Sequence, residues 1–187
     1  MSPVTHFLTS WLVANSANME RRDRVLVTAA GVIPDIDGFG LFIDIFSRNN
    51  GASFEWYQRF HHVLSHNLLF AFVVTIAAYL LSKKRWVAGL LSFASFHLHL
   101  IGDMVGSAGP QGYLWSVAYF WPLSNFELTW QGQWELNSWQ NIAITSIAVC
   151  IALFISWKHG HSPVEVFSTK ADSSFVSALR QRFGYPL

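Results

Sequence analysis

The chain has 187 residues, of which 52% are hydrophobic, 16% aromatic and 12% charged, with a formal net charge of +1. An average soluble domain carries roughly 25% charged residues, so the composition indicates lipid contact or a deeply buried all-helical protein, and the near-neutral balance excludes nucleic acid as an electrostatic partner. The single cysteine, Cys150, lies in an apolar run, which excludes a disulfide framework and makes it a small core or lipid-facing hydrophobe.

The N-terminus has no basic region followed by a pure apolar stretch and a cleavage site, so no cleavable signal peptide is expected. Residues 5–19 read as a moderately apolar helix with Thr5 as N-cap, ended by the basic cluster Arg21, Arg22 and Arg24. A second apolar run, 25–33, stops at Pro34, and PDIDGFG has turn chemistry. FGLFIDIF is apolar again, and SRNNGAS is a polar loop. The spacing predicts a helix over 62–82, opened by HHVLSHNLLF at 61–70 and closed by Lys83, Lys84 and Arg85. Residues 86–104 form another apolar helix, carrying His97, His99 and Asp103. Residues 105–138 read as loop with short pieces of structure, and 139–157 as a last apolar helix ending at Trp157 and Lys158. There is no internal repeat. The expected fold is all-α: an integral membrane bundle of about four to five apolar helices with a metal site at one end. Residues 1–158 form the membrane-embedded domain and 159–187 a polar, peripheral tail.

A helical span needs about 20 residues, with roughly 17 as the lower limit. Residues 63–82 and 139–157 meet this, and 86–104 does if His97 and His99 face protein. The pair 5–19 and 25–34 is short enough to be a tilted or re-entrant hairpin. If each apolar segment crosses, the three basic clusters fall on one side, which the positive-inside rule makes the cytoplasm, and Trp86 and Trp157 adjoin two of them as an aromatic belt. Every candidate ligand then falls at the opposite end. His66 lies 17 residues before Lys83, about 25 Å of helix.

His6, Asp35, Asp37, His61, His62, His66, His99 and Asp103 thus come from four separated segments and converge on one end. His99 and Asp103, at i and i+4, share a helix face, and His62 and His66 have the same spacing. Taken singly, each has an ordinary reading: a hydrogen-bonded interfacial histidine, a chance HxxxD, a turn or cap at PDID. Jointly they form a set of imidazoles and carboxylates suited to a divalent ion, zinc first, with manganese or iron also fitting. With this many ligands, two ions bridged by a carboxylate are expected as readily as one. His97 lies on another face and reads as structural. Asp44, Glu127 and Glu135 are not assigned, and His159 and His161 fall on the basic side.

The order His6, PDID at 34–37, HHVLSHNLLF and HLIGD at 99–103 resembles the YdjM-like membrane-bound metal-dependent hydrolases and, more distantly, is similar to the zinc-dependent phospholipase C family. Those families carry an early His, a Pro-Asp-x-Asp element, a His-Arg-x-x-Thr-His-Ser-Leu element and a His-x-x-x-Asp element. The resemblance covers about residues 5–125. It places His61 and His66 at the two histidine positions and WPLS at 121–124 at a later Trp/Leu-x-Pro-hydroxyl element. His62 stands where the family has Arg, so it either joins the site or replaces a phosphate-contacting cation. Ser65 and Asn67 replace Thr and Ser.

The resemblance implies an all-helical, metal-dependent hydrolase acting on an ester, in particular a phosphoester. Its metal ligands would be His6, Asp35, Asp37, His61, His66, His99 and Asp103. Asp37, as a base if uncoordinated, and His62 would be the catalytic groups. A site at the membrane face suggests a lipid or lipid-linked substrate and the inner membrane as location. The competing readings are a transporter or proton relay, a structural metal site closed by four protein ligands, and, more weakly, a secreted phospholipase-like enzyme. The sequence leaves substrate identity, metal number and oligomeric state open.

Overall fold

A computed structural model describes residues 1–49, 63–109 and 112–186. Helix α1 spans Pro3–Ala14. Its cap is Ser2, not Thr5. The Ser2 hydroxyl accepts from Thr5 N at 3.2 Å, and Pro3 takes a first-turn position where its missing N–H costs nothing. Helix α2 spans Arg21–Ala30. PDIDGFG, expected as a turn, lies in a 3₁₀ helix at Ile33–Phe39, followed by α3 at Gly40–Asn49. Pro34 donates no hydrogen bond and disfavours α geometry at the preceding residue. The axis accordingly bends by 52° between Arg21–Ala30 and Ile33–Ser47.

The helix expected over 62–82 is shorter than the sequence suggests: α4 spans Leu68–Leu81. Asn67 sets its start. The Asn67 side-chain oxygen accepts from Phe70 N at 2.9 Å, and its amide donates to the carbonyls of Val63 and Leu64. His66 therefore sits in the bend before the helix, and i,i+4 helical spacing does not explain its position. At 14 residues α4 measures about 21 Å, short of the roughly 30 Å hydrocarbon core. Helices α5 (Arg85–Gly106, 22 residues) and α6 (Trp139–His159, 21 residues) are long and apolar enough to cross, and the bent α2–α3 pair would make a third span. Among the described residues the candidate spans therefore number two or three, in a bundle whose helices α1 and α4 fall short of spanning length. The segment between α5 and α6 is loop, tied by isolated bridges at Ala108–Glu135 and Val117–Leu128.

The core pairs small residues, which let helix backbones approach, with a few large ones that fill the space between them. Ala30, Ala71, Val74, Phe96 and Leu100 join α2, α4 and α5. Leu8, Trp11, Ala148 and Ala152 join α1 to α6. The most apolar stretch of α5 is 50% buried and that of α6 only 22%, so α5 is the central helix and α6 a peripheral one.

The basic clusters meet at one end. Both carboxylate oxygens of Asp23 accept from the main-chain N–H groups of Lys83 and Lys84 at 2.9 Å, and Lys83 pairs with Glu20. The segment read as a polar tail packs against this end. A 3₁₀ turn at Pro163–Val166 buries Glu165, which accepts from Arg24 Nε and Nη2 at 2.8 and 2.6 Å and from Trp11 Nε1 at 3.1 Å. Helix α7, Thr169–Phe183, follows, and its Asp172 accepts from Ser162 N at 2.7 Å.

Candidate metal centre

The opposite end gathers the predicted ligands. Four of them, Asp35, His66, His99 and Asp103, bring one ligand atom each to within 4.8 Å of one another. Asp35 comes from the 3₁₀ helix after α2, His66 from the bend before α4, and His99 and Asp103 from one face of α5. The His99 Nε2 atom lies 3.0 Å from Asp103 Oδ2, 3.3 Å from His66 Nε2 and 3.5 Å from Asp35 Oδ1, and His66 Nε2 lies 3.5 Å from Asp103 Oδ2. Ligand atoms about 2.0–2.2 Å from a tetrahedral centre are themselves roughly 3.3–3.6 Å apart. The spacing therefore fits a common ion.

Tautomer logic strengthens that fit. His99 Nδ1 is 2.8 Å from the Gly31 carbonyl oxygen, which only accepts. Nδ1 must therefore carry the hydrogen, and a neutral His99 presents the Nε2 lone pair to the cluster. That lone pair faces carboxylate oxygens and a second imidazole. Among the described residues no hydrogen bond reaches Asp35 Oδ2 or Asp103 Oδ2, although both atoms are buried. Such a convergence of acceptors is costly in a dry interior, and a divalent cation relieves it.

The surrounding contacts orient these groups. Asp37 Oδ2 accepts from His66 Nδ1 at 3.1 Å, the carboxylate–histidine arrangement that holds a ligating imidazole in one tautomer. Asp37 thus touches the cluster from outside the four-residue group. His6 stacks on His99, ring centroids 3.8 Å apart, and reaches Asp103 Oδ1 at 3.0 Å. The same oxygen accepts from Ser107 Oγ at 3.0 Å and from the Met1 ammonium group. His6 can approach because position 102 is Gly: a Cβ there would lie 3.1 Å from His6 Cε1. Gly31 likewise lets α2 close on α1, since a Cβ there would come within 1.8 Å of Ser10 Oγ. His61 and His62 lie outside the described residues.

Other histidines are placed elsewhere. His97 pairs with the Phe93 carbonyl and the Tyr119 hydroxyl at 2.8 Å each, away from the cluster. His161 bonds to Asn15 at the basic end, where burial, followed by the Arg24 charge, lowers its pKa. Two participants escaped sequence reasoning. Ser107 carried a legible signal, since His99, Asp103 and Ser107 repeat at i, i+4 and i+8 on one helix face. The Gly31 carbonyl is a main-chain partner with no side-chain signature.

The profile of the family described as YdjM inner membrane protein matches residues 1–174. None of the curated proteins and none of the solved structures compared gives a match. The matched region contains every residue of the cluster, its orienting partners and the candidate spans, and the chain belongs to the YdjM inner membrane protein family.

Proposed function

We propose that this protein is a membrane-bound metal-dependent hydrolase acting on an ester, specifically a phosphoester, of a lipid or lipid-linked substrate. The observation that carries the reading is the His99 ring. It is pinned at Nδ1 by a carbonyl and turns its Nε2 onto two carboxylates and a second imidazole. Asp35, His66, His99 and Asp103 would hold the ion, with zinc preferred for this nitrogen and oxygen set and manganese or iron alternatives. When bound, such an ion supplies a nucleophilic water near neutral pH and polarises a phosphoryl oxygen. In this reading Asp37 is a positioning residue that holds the proton on His66 Nδ1, instead of the free base its sequence position suggests. His6 and Ser107 fix the Asp103 carboxylate. The positive-inside rule assigns the basic end to the cytoplasm and the cluster to the extracytoplasmic face.

A second reading has a specific observation behind it: four protein ligands also make a closed structural zinc site. Asp35 speaks for an open one. Its side chain is 26% exposed, against 4% or less for the other three, and it lines a cavity. The deciding experiment is metal content by mass spectrometry on detergent-purified protein, beside His66→Ala and Asp103→Ala, followed by a phosphoester panel on the loaded wild type. One or two equivalents of metal, absent from both variants, with turnover in the panel, are expected. A well-folded wild type without metal after chelator-free purification refutes the hydrolase reading. Bound metal with no exchangeable water replaces it with the structural one.

A further inference from the structure

The metal cluster opens onto a cavity of about 740 Å³, within the roughly 300–1,000 Å³ typical of sites for one small ligand. Its walls come from α1, α2, the bend into α3, and the C-terminal segment that follows α6. Its polar lining is concentrated where Asp35, Asp103 and Ser107 meet; the hydroxyl of Thr28, also in the wall, is spent on the Arg24 carbonyl at 2.8 Å. The remainder is apolar and largely aromatic. Phe7 stacks on Phe167 with ring centroids 5.4 Å apart, and Phe39 on Phe42 at 5.9 Å. Phe39, Phe42 and Phe167 are each more than half exposed.

A small polar metabolite would leave these aromatic walls without partners, and a wholly apolar ligand would make no use of the polar end formed by Asp35, Asp103, Ser107 and Met1. An amphiphile answers both. We propose that the cavity is the chain-binding subsite of the lipid substrate: one hydrocarbon chain lies between the Phe7–Phe167 and Phe39–Phe42 pairs, and its ester head group reaches Asp35 and Asp103. That the lipid is a substrate rests on the hydrolase reading; that a chain occupies the cavity rests on its shape and lining alone. Phe167 gives the C-terminal segment a role in this subsite. The segment is anchored through buried Glu165 and so carries Phe167 onto α1.

The test uses full-length protein in detergent and a long-chain lysophosphatidic acid with a mid-chain diazirine, the adducts being mapped by mass spectrometry. Adducts on Phe39, Phe42 or Phe167 are expected. Ala29→Trp, which fills the cavity from α2, should lower them by at least about tenfold, the loss expected when about two methylenes are expelled from apolar contact. Phe167→Ala changes an exposed residue and serves if Ala29→Trp fails to fold; it should lower adducts on Phe39 and Phe42 as well. Both variants should keep wild-type metal content, and Asp103→Ala should lose metal yet keep the chain adducts. Adducts spread over the outer face of α6, and equal in wild type and both variants, overturn the subsite while leaving the metal site standing. Cavity adducts on a wild type that binds no metal uphold the chain subsite and remove the hydrolase reading.

Discussion

Replacing Asp37 separates two roles that its sequence position leaves entangled. The Asp37 carboxylate lies 3.1 Å from His66 Nδ1 and outside the group of four converging ligand atoms. If it orients His66, Asp37→Ala leaves all four ligands in place and removes the acceptor that fixes the ring and its tautomer, along with its contact to Ser65 N at 3.4 Å. Loss of such a partner costs about 10–100-fold in metal affinity, or about 1.4–2.7 kcal/mol. Asp37→Asn keeps an acceptor oxygen but not the charge, so its loss should fall below that of Asp37→Ala. Asp103→Ala removes a ligand and should abolish stoichiometric binding. The assay is competition with a chromophoric chelator on detergent-purified protein, with circular dichroism to show that each variant is folded. The reasoning is refuted if Asp37→Ala loses metal as completely as Asp103→Ala, which would make Asp37 a ligand, or if it changes affinity by less than about twofold, which would make the contact idle.

Further outcomes follow from other contacts. Gly31→Ala should destabilise the fold by about 1–3 kcal/mol, because its Cβ would meet Ser10 Oγ and the α1–α2 contact must open. Thermal unfolding in detergent reads this, and Ser10→Gly should recover part of the loss. Glu165→Ala takes the carboxylate from the half-buried Arg24 and should cost about 3 kcal/mol or somewhat less, while metal content per folded molecule stays at the wild-type value. Metal uptake should weaken as pH falls, because ligating imidazoles must be neutral and protons compete for them. Titration of metal affinity between pH 5.5 and 8 checks this, and an affinity independent of pH would remove histidine from the ligand set.

Much of this arrangement is legible in the sequence because it depends on spacing along single elements. His99 and Asp103 share a face of an uninterrupted apolar helix, and the structure keeps them there. The apolar run after Ser138 becomes a peripheral apolar helix of nearly the expected length. What could not be read depends on partners distant in the chain or on the main chain. Asn67 takes the carbonyls of Val63 and Leu64 and starts α4 late, so the apolar pattern overstates the helix and His66 is placed by a bend. His99 depends on a carbonyl 68 positions away. Glu165 reads as one more charge in a polar tail, and only the fold brings it to Arg24 across 141 positions.

The two ends of the bundle solve the problem of buried charge differently, and the contrast is the strongest physical reason to expect a cation. At the basic end the buried carboxylates meet protein donors. Asp23 takes two main-chain N–H groups, Glu165 takes Arg24 and Trp11, and Asp172 takes Ser162. At the other end the chain assembles carboxylates and histidines whose donor capacity points outward. His99 Nδ1 is committed to Gly31 and His66 Nδ1 to Asp37. What converges inside is Nε2 of both rings with Oδ1 of Asp35 and Oδ2 of Asp103, while Asp103 Oδ1 is held by His6, Ser107 and the Met1 ammonium group. Had the chain only needed to satisfy these carboxylates, an arginine or a main-chain turn would do so, as it does at the other end. Instead the same sequence closes one site with main-chain, Arg and Trp donors and gathers at the other a His/Asp group that could hold a metal ion.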